Sequence, residues 1–259
     1  MRSFWWLLVC AGNLLYAQSP GLLPPDVATR ALGGAGLTQS GAAALWTNPA
    51  GLAGTAQFSG NATVEQRFGL SDLRLAGIAL AVPGGFGLRL AHYGYAGYAQ
   101  TTLVGMYGRS LTNRLDIGLE LGGAMLAVPQ HEGRSAATAG LGARYRMAEN
   151  WSVAASYRTF VGEQPYSTYR LGIGYRPGAQ LALHAEVSYT GRTSLQFHMG
   201  IEYTLAERVV LRIGVDSGRR EVSGGIGYLM DGGVELALTT AYHEQLGLTP
   251  VAGIIFRPE

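Results

Sequence analysis

From about residue 55 to residue 256 the chain repeats one pattern. A run of roughly 8–12 residues alternates apolar and polar, and a short turn rich in Gly, Asn, Asp or Glu separates it from the next run. Leu181, Leu183, Ala185, Val187 and Tyr189 oppose Ala182, His184, Glu186 and Ser188. Leu115, Ile117, Leu119 and Leu121 likewise oppose Asp116, Gly118, Glu120 and Gly122, and Val209, Leu211, Ile213 and Val215 oppose Val210, Arg212, Gly214 and Asp216. A period of two puts one set on each face of a strand. The pattern predicts fourteen strands, near 55–67, 72–82, 86–94, 101–109, 115–127, 137–146, 151–160, 167–176, 181–190, 194–204, 208–216, 221–230, 234–243 and 249–257.

The apolar set is too sparse for two stacked layers but suffices for one band facing lipid. The expected fold is therefore an all-β, 14-stranded antiparallel transmembrane β-barrel. Tight turns near 82–85, 111–114, 147–150, 176–179, 205–207 and 230–233 alternate with longer connections near 94–100, 129–135, 162–166 and 244–248. Outer-membrane barrels carry short periplasmic turns and longer outer loops, and an even strand count returns both ends of the barrel to one side. Both termini are expected in the periplasm, with outer-membrane lipid around the wall.

Composition agrees. Charged residues are 14% of the 259, against about 25% in an average soluble domain. Glycine, at 39 residues, and tyrosine, at 14, suit tight turns and interfacial rings. Apolar runs fall short of the about 20 residues of a spanning helix. The formal charge of +2 gives no reason to expect a nucleic-acid partner, and the complete use of arginine over lysine reads as genome composition.

Two segments precede the barrel. Residues 1–17 read as a signal peptide: Arg2 is the basic start, Phe4 to Ala11 the apolar core, and Tyr16-Ala17-Gln18 the cleavage point. The single cysteine, Cys10, falls inside it, so the mature protein would have neither disulfide nor thiolate chemistry. Residues 18–54, rich in Gly, Ala and Pro, lack alternation. Pro20, Pro24 and Pro25 keep the start extended. Ser40 is placed to cap a short helix over 41–46 that Asn48-Pro49 ends. A 14-stranded barrel is wider than one that its own side chains fill. Residues 18–54 are therefore expected to fold inward as a plug, with residues 55–259 forming the barrel. The plug reads either as a permanent cork or as a gate.

The stretch Pro25-Asp26-Val27-Ala28-Thr29-Arg30-Ala31-Leu32-Gly33-Gly34-Ala35-Gly36-Leu37, followed by Ala42-Ala43-Ala44-Leu45-Trp46-Thr47-Asn48-Pro49-Ala50-Gly51-Leu52-Ala53, resembles the N-terminal region of the FadL-like outer-membrane superfamily. It is most similar to the PorV/PorQ-type branch, found especially in Bacteroidetes. The resemblance implies a 14-stranded barrel with an inserted N-terminus. It also implies a transport role, or a type IX secretion role with exported cargo or secretion-system components as partners. In FadL-type channels it implies passage of a small hydrophobic solute such as a fatty acid, leaving through a gap in the wall. A structural scaffold without conduction is the third reading. The plug or gate residues would be Arg30, Gly33, Gly34, Trp46, Asn48, Pro49, Ala50 and Gly51.

Strand parity assigns Arg74, Arg89, Arg144, Arg146, Arg158, Arg176 and Arg212 to the lumen, with Asp116, Glu120, Glu186, Glu202 and Glu235. Mixed charge favours a wall-stiffening network over an ion-selective lining. His184, Glu186 and His198 also point inward, and Glu186 is expected to face His198 as a hydrogen-bonded pair; their spacing is not that of a metal site. His92, His131 and His243 read as solvated. Tyr93, Tyr95, Tyr98, Tyr166 and Tyr169 read as an interfacial girdle, with a grip on an aromatic or lipid-like ligand as the alternative. The sequon Asn61-Ala62-Thr63 falls in a strand. No phosphate loop and no nucleophile motif is present, so neither a catalytic activity nor a cofactor is expected.

Overall fold

The computed structural model describes residues 26–258, apart from 96, 130–132, 163–164 and 192–193. The expected signal peptide, the three prolines before residue 26, and His131 lie outside the described residues. Fourteen strands close into one antiparallel barrel, each paired with its neighbours in sequence and β1 with β14. They are β1 Ser59–Gln66, β2 Arg74–Val82, β3 Phe86–Tyr95, β4 Tyr98–Ser110, β5 Leu115–Ala127, β6 Arg134–Arg146, β7 Trp151–Val161, β8 Tyr166–Tyr175, β9 Leu181–Thr190, β10 Gln196–Leu205, β11 Val209–Asp216, β12 Glu221–Met230, β13 Val234–His243 and β14 Gly247–Phe256. Thr63 sits between Gly253 on one side and Gly77 on the other, which fixes the closure.

Alternation sorts the two faces. On β13, Leu236, Leu238 and Tyr242 are exposed on the outside, whereas Glu235, Ala237, Thr239 and Ala241 are buried inside. Exposed apolar side chains at this density tolerate hydrocarbon rather than water. A one-residue slip would turn Glu235 outward, so burial on one face holds the register.

Three expectations change. The first strand starts at Ser59, not 55, because residues 53–58 lead out of the lumen. The expected loop over 94–100 is mostly strand, leaving only 96–97 between β3 and β4. β3 stays paired with both neighbours along its length, so it leaves no gap in the wall. The end where β1 begins and β14 finishes is called the terminal end below, and its opposite the far end.

Before β1, a one-turn α-helix spans Val27–Ala31, and two 3-10 turns span Gly41–Trp46 and Pro49–Leu52. Asp26 caps the helix, accepting from the N–H groups of Ala28 (2.9 Å) and Thr29 (3.0 Å). Ser40 precedes the first 3-10 turn, but its side chain does not cap it.

Candidate functional site

The site is the lumen, occupied by residues 26–55. From Val27 the segment lies against β13 and β14, with Thr239 donating to the Val27 carbonyl at 3.0 Å. It climbs toward the far end, where Arg30 donates to Glu221 (2.6 Å) and Glu65 (3.3 Å), all three nearly or fully buried. Glu65 also receives Arg67 at 3.0 Å. Gly33 and Gly34 then turn the chain back with φ of +66° and +85°, the left-handed region that glycine enters freely. The Gly33 N–H donates to Ser223, and its carbonyl meets His198 Nδ1 at 3.0 Å.

On the way down, the N–H groups of Gly36 and Leu37 both donate to Glu186, which also receives Arg170 at 2.5 Å. Thr38 meets His184 at 3.2 Å. At the terminal end Arg144 donates to Ser40 Oγ (2.5 Å) and the Gln39 carbonyl (3.2 Å), while its Nη2 bonds Asp116 at 2.9 Å. Arg146 shares Asp116 at 2.6 Å. The hydroxyl expected to cap a helix thus serves a wall arginine instead.

Among the described residues, the second half of the segment forms no ion pair with the wall and combines packing with a few hydrogen bonds. Leu45, Trp46 and Leu52 form one buried cluster with Ala79, Ala81, Ala91, Val104 and Met106 of β2–β4. Trp46 Nε1 donates to Asn61 at 2.9 Å, which puts the asparagine of the sequon inside the barrel. Asn48 accepts from the Ala50 N–H (3.0 Å) and donates to the carbonyls of Leu37 (3.1 Å) and Ala143 (3.2 Å). Pro49, Ala50 and Gly51 are buried beside β5 and β4. Arg89 is fully buried, donates to the Leu45 carbonyl, and lies over the Trp46 ring at 5.7 Å.

The wall is cut to receive this segment. A Cβ at Gly77 would strike Trp46, at Gly118 the Pro49 backbone, at Gly142 the Asn48 side chain, at Gly214 the Leu32 backbone and at Gly253 Val27. These strand glycines, unremarkable in the sequence, trace the segment's path.

Of the expected lumen residues, Arg89, Asp116, Glu120, Arg144, His184, Glu186, His198, Arg212 and Glu235 are buried inside. Arg158 pairs with Glu120, and Arg212 joins Glu202 (2.7 Å) to Glu235. Arg146 reaches inward at the rim. Arg176 follows β8 and is exposed at the terminal-end opening. Arg74 is corrected: it shares the outer face of β2 with Ile78, Leu80 and Val82, because Leu75 takes the inner face.

Glu186 and His198 are register partners but do not bond each other. Glu186 is drawn to the segment's amides, and His198 to Gly33 and, through Nε2, to Ser188 at 2.9 Å. The tyrosines also divide. Tyr169 faces out between Tyr157 and Tyr189. Tyr166 is buried and stacked on Phe160 at 4.8 Å, and Tyr93 and Tyr98 lie across from buried Leu75 and beside buried Gln100 on the inner face. His92 is outside, 2.9 Å from Thr101, and His243 accepts from the loop amides of Gln245 and Leu246. Sequence reasoning missed Glu65, Arg170 and Glu221, although the parity of β1 and β8 carries the first two.

No curated protein matches the chain. Among solved structures it is similar to the Ralstonia pickettii toluene transporter TbuX, with a TM-score of 0.67 at 13% identity over 92% of this chain and 100% of that one. The Pseudomonas putida toluene transporter TodX gives 0.62 at 13% identity over 90% and 96%, and a Pseudomonas aeruginosa FadL homologue 0.60 at 11% over 90% and 96%. At these identities the likeness is one of fold. Residues 29–176, which run from the lumenal segment through β8, match the model described as outer membrane protein beta-barrel domain, and the chain belongs to that family.

Proposed function

We propose that this outer-membrane barrel passes small hydrophobic solutes along one side of its lumen, with residues 26–55 as the gate. The observation that carries the reading is a run of inward apolar and aromatic side chains on β2–β4. Tyr93 and Tyr98 stand at the far end, Leu75, Ala91 and Val104 follow, and Leu45, Trp46 and Leu52 of the segment close the run. An apolar solute could replace most of these contacts, with the buried Arg89, which holds the Leu45 carbonyl, as the one charge it would have to pass, whereas on the opposite side opening would break ion pairs. Proteins of similar fold include toluene transporters and a channel for monoaromatic hydrocarbons, which supports the same reading. In the proposed orientation the terminal end faces the periplasm. The role is passage, not catalysis. A solute would leave through the periplasmic mouth, because β3 stays paired on both edges. No feature of the described residues favours secretion-associated docking of cargo over this reading.

The test is uptake of radiolabelled toluene and oleate by cells that lack their own carrier. Expression of the full chain is expected to raise uptake of at least one, and deletion of residues 42–53 to raise it further while admitting ions. Uptake no greater than with an empty vector would overturn the proposal.

A further inference from the structure

The terminal end carries a pocket that the hydrophobic route does not use. It opens between the segment's bend at Thr38–Ala43 and the wall from β6 to β10, and holds about 460 Å³. Four arginines line it: Arg144, Arg146, Arg176 and Arg257, with His184 and Trp151. Among the described residues, these four and Arg212 outnumber the nearby carboxylates Asp116, Glu149, Glu202 and Glu235 by one. Asp116 is shared between Arg144 and Arg146. Glu202 and Glu235 are both taken by Arg212, so Glu235 reaches Arg257 only at 3.5 Å. Arg176 makes no side-chain hydrogen bond or ion pair among the described residues. Only Glu149 adds a carboxylate to the lining besides Glu202.

The far end behaves differently. There three arginines, Arg30, Arg67 and Arg219, share three carboxylates, Glu65, Glu221 and Asp216. These three lumenal arginines are thus balanced by carboxylates, unlike those of the pocket.

We propose that this pocket binds a small multivalent oxyanion, a phosphorylated or polycarboxylate molecule. Guanidinium groups present paired N–H donors that match phosphate and carboxylate oxygens, and here they converge from three separate stretches of wall. The volume lies within the range of small-molecule sites, about 300–1,000 Å³. Arg176 supplies uncommitted donors, Arg257 is held only by its 3.5 Å contact to Glu235, and Arg144 and Arg146 supply field from a rigid base. Because Arg144 also holds Ser40 and the Gln39 carbonyl, an anion here would sit directly against the gate. The site is read from charge and shape alone and does not depend on what the barrel transports.

The experiment is isothermal titration of the full-length barrel in non-ionic detergent, with inorganic pyrophosphate in one arm, citrate in a second and acetate in a third. Pyrophosphate or citrate is expected to bind at one saturable site, at least tenfold more tightly than acetate. The Arg176→Gln/Arg257→Gln double variant, which touches no bond to the segment, is expected to weaken binding at least tenfold. Arg208→Gln, an arginine in the turn between β10 and β11 paired with Asp231, should leave it unchanged. Arm by arm, the result separates phosphoryl from carboxylate ligands. Absence of saturable binding in both multivalent arms, an unaffected double variant, an equal loss in Arg208→Gln, or saturation by an acidic peptide alone would each overturn the proposal.

Discussion

The lumenal segment is held on its two sides by opposite means. Against β1–β4 it is held mainly by burial: Leu45, Trp46 and Leu52 fit among alanines and Val104, and the directed bonds there are those of Arg89 to the Leu45 carbonyl and of Trp46 to Asn61, with no ion pair among the described residues. Against β8–β13 it is held by directed bonds, with Arg30, Gly33, Gly36 and Leu37 tied to Glu221, Ser223 and Glu186. Burial is non-directional and exchanges one apolar neighbour for another at little cost. A buried ion pair cannot be exchanged in that way, since removing one partner leaves a desolvated charge. The comparison teaches that a lumenal segment can be tied by ion pairs on one side and mainly by packing on the other, with the polarity of each wall deciding which.

The sharpest way to break this contrast is Arg30→Ala. It strands Glu221 and removes one of two partners from Glu65, so a loss of about 3–5 kcal/mol in denaturant unfolding is expected. Single-channel recordings should show ion leakage. A loss below about 1 kcal/mol would mean the charged side does not anchor the segment.

Leu45→Ala tests the other side. Truncating a fully buried leucine should cost about 2–4 kcal/mol. The expected functional signature differs from that of Arg30→Ala: faster uptake of toluene without ion conductance. Equal ion leakage from both variants would erase the distinction between anchored and yielding sides.

Gly214→Ala sharpens the comparison at the wall itself. The added methyl would press on the Leu32 backbone, for an expected cost of about 1–3 kcal/mol. Gly178→Ala, in a turn with open space around it, is the control and should change unfolding by less than about 0.5 kcal/mol. Equal effects would mean that the glycines serve strand geometry and not the segment.

Much of this was legible in the sequence, for identifiable reasons. Strand number and most inward charges followed from period-two alternation, because lipid demands an apolar outer face on every strand. Alternation says nothing about what an inner residue touches. Glu186 and His198 are register partners as expected, yet each bonds the segment, because the segment's backbone N–H groups and carbonyls offer them partners that alternation along the strands does not reveal. The glycines were readable only as strand glycines, since their purpose lies in a partner from elsewhere in the chain. Tyr166 and Tyr93 were taken for interfacial rings because composition does not distinguish an aromatic facing lipid from one facing an apolar lumen.

Arg74 shows where the rule itself breaks. On β2 both faces are apolar: Ile78, Leu80 and Val82 meet lipid, while Leu75, Ala79 and Ala81 face inward, the two alanines against the segment's apolar side. With no polar face to mark the inside, the single arginine is the only marker that the sequence offers. Its position at the strand's far end instead lets the side chain reach the interface from the outer face. Arg74→Ala should therefore leave the unfolding midpoint within the equivalent of about 0.5 kcal/mol, the smallest effect in the series. A cost above about 1 kcal/mol would place the guanidinium in the lumen. That outcome would shift β2 by one residue and turn Leu75, Ala79 and Ala81 to lipid, and the apolar side of the segment would lose its wall.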